Sequence, residues 1–268
     1  ITGDSSICEG YYTPLANGIP GGVWSSSNIP VATVDPTGMC FGATPGLSFI
    51  SYSIVGCPAA VFPLTVNSTP TPIGGLTSLC IGVATALTNA SPGGLWTSSD
   101  TSVATISPTG VLTTISYIVG STTIITYTLP TGCRTTTTVT INPLPGLIIG
   151  SPVVCVGNTS TLSSTPTGGT WTSSLPGTAL INTTTGVVNG LSAGTTTITY
   201  TLGTGCIRTT TVTVNPLPNP ITGTAATCVG NSTTLTGTPA GGAWAINPTT
   251  VATITTGGVV TGSNAGTA

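Results

Sequence analysis

One spacing recurs four times and constrains everything else. Cys8 and Trp24, Cys80 and Trp96, Cys155 and Trp171, and Cys228 and Trp244 each stand 16 residues apart. The cysteines that open these units follow one another at 72, 75 and 73 residues. A chain of 268 residues would ordinarily suggest one or two domains, but self-similarity at this period signals an array of small units, each one supersecondary assembly. The most regular unit runs from Cys155 to Pro218. It reads Gly168-Gly169-Thr170-Trp171-Thr172-Ser173-Ser174, Gly186-Val187-Val188, Ile198-Thr199-Tyr200, Gly205-Cys206 and Thr211-Val212-Thr213-Val214.

Periodicity sets the class of structure. Thr196, Ile198 and Tyr200 alternate with Thr195, Thr197 and Thr199, and Thr211 to Val214 alternates in the same way. Period two over short runs bounded by Gly, Pro, Asn and Ser is the pattern of half-buried antiparallel strands. No stretch holds helical period for three turns. About seven short strands in some 70 residues predict a small β-sandwich.

Four units follow: 1–67, which diverges most, 73–142, 147–215, and a partial unit at 221–268 that stops where the others begin their Ile-x-Tyr strand. Between them lie proline-rich linkers, Asn67 to Pro72, Asn142 to Pro145 and Asn215 to Pro220, which proline makes semi-rigid. The fold expected is an all-β, elongated rod of tandem sandwiches, each unit contacting mainly its neighbours.

Composition excludes several functions. Only 2% of residues are charged, against about 25% in an average globular chain. The six are Asp4, Glu9, Asp35, Asp100, Arg134 and Arg208, and there is neither lysine nor histidine. Two arginines cannot form the basic footprint of a nucleic-acid binder or of an anionic-membrane binder. Catalysis lacks a histidine base and a lysine, the carboxylates offer at most one pair (Asp4 and Glu9), and no calcium or zinc constellation is visible. The chain is therefore expected to be no enzyme and to need no cofactor or metal. No apolar run approaches the ~20 residues of a membrane helix, so no membrane insertion is expected. The chain opens on Ile1 and reads as a mature or trimmed segment. A net charge of −2 gives almost no colloidal repulsion, so self-association is expected.

The motifs Trp-Thr-Ser-Ser, Val-Ala-Thr-Ile (Val103 to Ile106), Gly-Val-Val or Gly-Val-Leu (Gly110 to Leu112) and the closing Thr-Val-Thr-Val resemble the bacterial immunoglobulin-like repeats of surface proteins. The resemblance spans the whole chain. It implies tandem immunoglobulin-like Greek-key sandwiches on a secreted, cell-surface or fibre-forming bacterial protein. The cysteine pair in each unit resembles the multi-repeat surface proteins of gliding and biofilm-forming bacteria. Eight cysteines at regular positions also favour an oxidising, extracellular compartment.

Candidate residues can now be placed. Trp24, Trp96, Trp171 and Trp244, with Tyr52, Tyr127 and Tyr200, are expected in the cores, each tyrosine hydroxyl bonded to backbone. The simplest disulfides lie within a unit: Cys8–Cys57, Cys80–Cys133 and Cys155–Cys206. The rival scheme links neighbours, Cys8–Cys133 and Cys80–Cys206, because the two cysteines of one sandwich can fall at its opposite ends. Cys40 and Cys228 lack partners in the pattern and are unpaired or inter-subunit candidates. Asn67, Asn89, Asn158, Asn182 and Asn231 head Asn-x-Ser/Thr sequences and are glycosylation candidates, glycans being one way to hydrate so uncharged a surface.

The leading expectation is a structural subunit of an extracellular fibre or surface stalk. It would associate with itself, with the partial last unit either cut from a longer array or completed by strands of another subunit. The alternative is an adhesin binding glycans or a surface protein through the divergent first unit, where Tyr11, Tyr12, Phe41, Asp4 and Glu9 cluster. An accessory segment of a large secreted enzyme is a third reading.

Overall fold

The computed structural model describes residues 1–115 and 120–268. It is an all-β chain of tandem immunoglobulin-like sandwiches. Repeat 1 holds β1 (Ser6–Cys8), β2 (Tyr12–Pro14), β3 (Val23–Ser26), β4 (Ala32–Val34), β5 (Met39–Gly42), β6 (Gly46–Ser53) and β7 (Ala60–Asn67). Repeat 2 holds β8 (Ser78–Cys80), β9 (Ala84–Ala86), β10 (Leu95–Ser98), β11 (Ala104–Ile106), β12 (Val111–Thr114), β13 (Thr122–Thr128) and β14 (Arg134–Asn142). Repeat 3 holds β15 (Ile149–Gly150), β16 (Val153–Cys155), β17 (Thr159–Ser163), β18 (Thr170–Ser173), β19 (Ala179–Ile181), β20 (Val187–Gly190), β21 (Gly194–Thr201) and β22 (Ile207–Asn215). Repeat 4 holds β23 (Thr222–Gly223), β24 (Ser232–Thr236), β25 (Ala252–Ile254) and β26 (Val259–Gly262).

The chain divides into two compact units, Ile1–Leu144 with Thr204–Cys206, and Pro145–Gly203 with Ile207–Ala268. In the first, each repeat packs a four-stranded sheet (β1-β7-β6-β3, then β10-β13-β14-β8) on a three-stranded one (β2-β5-β4, then β11-β12-β9). In the second, repeat 3 packs β16-β22-β21-β18 on β15-β17-β20-β19. Repeat 4 has the counterpart of the latter sheet, β23-β24-β26-β25.

One long antiparallel hairpin dominates each complete repeat: β6–β7, β13–β14 and β21–β22. Its alternation explains both faces. On β21 and β22 the inward side chains Ile198, Tyr200, Val212 and Val214 are buried. The outward ones are threonines set opposite each other, Thr197 to Thr211 and Thr199 to Thr209. Threonine suits this position because its β-branch stiffens the strand while its hydroxyl meets water. Each of repeats 1 to 3 has its own buried cluster, centred on residues such as Ile50 and Leu64, Leu112 and Ile125, and Val188 and Ile198. Burying one such aliphatic side chain stabilises by roughly 1.5–3 kcal/mol.

The short first strand runs parallel to the last strand of its own repeat. This sets Cys8 beside Asn67, Cys80 beside Asn142 and Cys155 beside Asn215.

Candidate functional site

The parallel pairing decides the disulfides. In each complete repeat the first cysteine sits at the C-terminal end of the last strand. The second cysteine lies in the hairpin turn at that strand's N-terminal end, as Cys57 shows by donating its N–H to the Ile54 carbonyl at 3.1 Å. From Cys206 to Asn215 is nine residues of strand, about 30 Å at the strand rise of ~3.3 Å per residue. A disulfide needs Cα atoms about 5.5–6 Å apart. Pairing within a repeat (Cys8–Cys57, Cys80–Cys133, Cys155–Cys206) is therefore corrected: the bonds are Cys8–Cys133 and Cys80–Cys206, each with a Cα–Cα distance of 5.6 Å. The first cysteine of one repeat holds the second cysteine of the next.

The local seat is the same at both rungs. Cys133 Sγ lies 4.0 Å from the Asn67 carbonyl and Cys206 Sγ 4.0 Å from the Asn142 carbonyl. Both of these cysteines are about 1% exposed.

Four thiols remain free: Cys57 and Cys228 exposed, Cys155 half-buried and Cys40 buried. Cys155 thus carries no bond to Cys206, and Cys57 none to Cys8. The reading of Cys40 as an inter-subunit thiol is also corrected. It stands on β5 where Leu112 and Val188 stand on β12 and β20, and all three are fully buried. It is a core residue, and burial, helped by the charge of Asp35, pushes its thiol up to about 11.

The tryptophans and tyrosines form one clasp per repeat. Trp24 and Tyr52, Trp96 and Tyr127, and Trp171 and Tyr200 face each other across β3–β6, β10–β13 and β18–β21, with ring centroids 4.7, 4.6 and 4.5 Å apart. Each tyrosine hydroxyl accepts from a glycine N–H two residues before the tryptophan: Gly22 at 2.7 Å, Gly94 at 2.9 Å and Gly169 at 2.8 Å. It donates to the carbonyls of Ile19, Ser91 and Pro166 at 2.7, 2.6 and 2.8 Å. A Cβ on any of these three glycines would overlap the tyrosine ring. Trp171 is 3% exposed, while Trp24, Trp96 and Trp244 are half-buried.

A second feature went unread in the sequence, although the Ser-Ser after each tryptophan signals it. One hydroxyl residue on the hairpin (Ser48, Thr123 or Thr196) is buried under those serines. Thr196 Oγ1 lies 3.0 Å from Ser173 Oγ and 3.2 Å from Ser174 Oγ, and accepts from the Leu175 N–H at 3.0 Å. Thr123 does the same with Ser98 and the Asp100 N–H, and Ser48 with Ser26 and the Asn28 N–H. The knot binds the hairpin to the Trp strand with every polar group partnered.

Surface candidates divide by geometry. Asn158 and Asn231 occupy equivalent turns and are exposed. Asn182 is exposed, with its carbonyl oxygen taken by Thr184 and Thr185. Asn89 is tied on both sides, its amide nitrogen donating to the Thr71 carbonyl at 2.6 Å. Asn67 is half-buried at the end of β7. On repeat 1, Tyr12 and Phe41 stack with centroids 4.8 Å apart, and Tyr12 is 67% exposed. Asp4 is exposed and Glu9 half-buried. Asp35 and Asp100 are held below the ordinary carboxylate range, first by the Thr37 and Ser102 hydroxyls.

No family model and no curated protein matches the chain. Among solved structures it is similar to a C-terminal 282-residue fragment of intimin bound to the intimin-binding domain of the translocated intimin receptor, at 17% identity and a TM-score of 0.32. That match covers 53% of this chain and 59% of the fragment. It is also similar to domains 1–6 of the surface layer protein SbsC, at 14% identity and a TM-score of 0.28, covering 97% of this chain and 44% of that one. A SusE-like, surface-located polysaccharide-binding protein from Bacteroides thetaiotaomicron matches at 16% identity and a TM-score of 0.30, covering 79% and 45%. The chain thus spans less than two thirds of each of these structures, and the likeness is one of fold class.

Proposed function

We propose that this chain is a structural, non-enzymatic subunit of an extracellular fibre or cell-surface stalk that associates with its own kind. The observation that carries the reading is the disulfide pattern. Both bonds join one repeat to the next rather than closing a single repeat. Cross-links of that kind add tensile continuity along a repeat array, a property useful to a load-bearing element, and they persist only in an oxidising compartment. The threonine faces and the near absence of charge agree with a surface hydrated by hydroxyls or glycans rather than by ions. Asn158 and Asn231 are the sites best placed to carry such glycans, since their side chains stand free in exposed turns.

Electron microscopy of native material purified without reductant tests the reading. The expected result is continuous filaments with a repeat matching this chain. Isolated particles of variable length would overturn the fibre. An intact mass equal to that of the bare sequence would remove the glycans.

A second reading is supported by one observation. The exposed Tyr12–Phe41 stack on repeat 1 replaces the small and polar side chains that repeats 2 and 3 carry there, Ala84 and Thr113 in repeat 2. Stacked exposed aromatics suit a sugar ring or an apolar protein patch. Binding of a glycan panel to the isolated repeat 1, lost in Tyr12→Ser/Phe41→Thr, would favour an adhesin.

A further inference from the structure

Repeat 4 is folded as if a hairpin were in place. Trp244 takes its usual seat: a Cβ on Gly258 would stand 3.0 Å from its ring, as one on Gly186 would stand 3.2 Å from that of Trp171. The other side of that seat is open. A Cβ on Gly242 would meet nothing within 4 Å, where the equivalent Gly169 is filled by Tyr200. Leu235 and Trp244 are half-buried, although their counterparts Leu162 and Trp171 are 2% and 3% exposed. A cavity of about 960 Å³ lies here, lined by Leu235, Gly242 and Trp244, with Cys155 and Asn215 at its edge. Cys155 stands in register with Asn215 as Cys80 does with Asn142, so its half-buried thiol occupies the position of a third rung.

We propose that the open face of repeat 4, with Cys155, is a docking site for a two-stranded β-hairpin carried by a partner polypeptide. That hairpin bears a tyrosine to fill the Gly242–Trp244 seat and, six residues on as in Tyr200 and Cys206, a cysteine that bonds to Cys155. The tyrosine hydroxyl would accept from the Gly242 N–H and donate to the Pro239 carbonyl, the counterparts of Gly169 and Pro166. Bond formation joins the two sulfurs, and the two protons and two electrons pass to a low-molecular-weight disulfide, which becomes two thiols.

Repeat 4 also specifies a residue that this chain's own hairpins lack. The three groups around Thr196 are Ser173, Ser174 and the Leu175 N–H. Counting from the tryptophan, they become Ile246, Asn247 and Pro248, and proline has no N–H to give. A hydroxyl brought there meets an aliphatic side chain and loses its donor. The fitting hairpin therefore carries an aliphatic residue where repeats 1 to 3 carry Ser48, Thr123 and Thr196. The proposal deepens the self-associating fibre reading, on which it rests for the partner's source but not for the site.

The probe is a synthetic hairpin with the sequence Gly194–Asn215, changed Thr196→Val, its cysteine held as the mixed disulfide with glutathione. Attack by a protein thiolate forms the new sulfur–sulfur bond and expels glutathione thiolate. Incubated with the whole chain and read by peptide mapping, it should label Cys155 at least about tenfold faster than Cys57 or Cys228, because docking raises the effective concentration of the sulfur. Those two thiols are the more exposed, so unguided exchange gives the opposite order. The preference should vanish with a Tyr200→Ala probe and in a Gly242→Ala chain, whose added methyl fills the tyrosine seat. The unchanged Thr196 probe should compete about 5- to 100-fold more weakly, the cost of a buried unpaired hydroxyl. Equal labelling of the three thiols, or preference unaffected by Gly242→Ala, would overturn the site while leaving the filament test untouched. A dimer of the chain alone bridged from Cys155 to Cys57 of a second copy would overturn the partner hairpin in favour of self-completion.

Discussion

Replacing one rung should cost more than replacing any free thiol, and the amount follows from the geometry. The Cys8–Cys133 bond encloses a sequence separation of 125 residues. The chain-entropy relation gives about 5 kcal/mol for a loop of that length if repeats 1 and 2 unfold together. If repeat 1 unfolds alone, the loop shortens to roughly 65 residues and the figure falls only to about 4 kcal/mol, because the dependence is logarithmic. Stability of a small domain is about 5–15 kcal/mol, so the bond is a large share of it. The perturbation is the double change Cys8→Ser/Cys133→Ser, which leaves no stranded thiol. Calorimetry of the whole chain should show the transition of repeat 1 lowered by about 15–30 °C. Reductant should lower the parent chain similarly and leave the variant unchanged. Cys57→Ser, at an exposed thiol, should stay within about 0.5 kcal/mol of the parent. A loss in Cys57→Ser comparable to that of the double variant would refute the reasoning, as would a non-reduced peptide map containing Cys8 joined to Cys57.

Three further outcomes follow from the cores. Gly169→Ala should destabilise repeat 3 by about 1–3 kcal/mol, because the new methyl overlaps the Tyr200 ring, whereas Gly242→Ala should be near neutral in the chain alone; urea midpoints compare them. Thr196→Val should cost about 1–3 kcal/mol by leaving the Leu175 N–H and the Ser173 and Ser174 hydroxyls short of a partner, read by the same titration. Cys40 supplies a pH dependence: its thiol titrates at about 11 in the folded chain against an ordinary 9.0. The folded state therefore keeps a proton that the unfolded state releases, so stability is full below about pH 9 and falls as pH rises toward 11. Cys40→Val, the residue repeat 3 carries there, should remove that part of the alkaline loss, and an identical loss in both chains would exclude Cys40 as its source.

Much of this could be read from residues alone. The Cys–Trp spacing located each repeat, and the alternation of Thr196, Ile198 and Tyr200 against the outward threonines gave both faces of the long hairpin. What escaped was whatever depends on which end of a strand a residue occupies. Cys155 and Cys206 look like a pair in one dimension because they share a repeat. They are kept apart by the parallel run of β16 along β22, which no local pattern announces. The hydroxyl knot escaped for a related reason. Ser173-Ser174 has the composition of a turn, and its meaning appears only when β21 lays Thr196 beneath it. Cys40 escaped because residue type suggested chemistry where position required only a small apolar side chain.

The same geometry yields a sharp outcome for a single repeat. Residues 73–142 contain both Cys80 and Cys133, so a reading by sequence spacing makes this fragment a self-contained, disulfide-locked domain. In the folded repeat the two sulfurs stand at opposite ends of β14, about 30 Å apart by the strand rise, and neither can reach the other. The isolated fragment should hold two titratable thiols when folded. Its urea midpoint should be the same with and without reductant. Oxidation under denaturant, which permits the bond, should trap a form that cannot regain the Trp96–Tyr127 stack, visible as lost near-ultraviolet dichroism. A fragment that oxidises in native buffer and gains stability would place Cys80 and Cys133 at the same end of the sandwich, and both the register of β8 on β14 and the ladder built on it would fall.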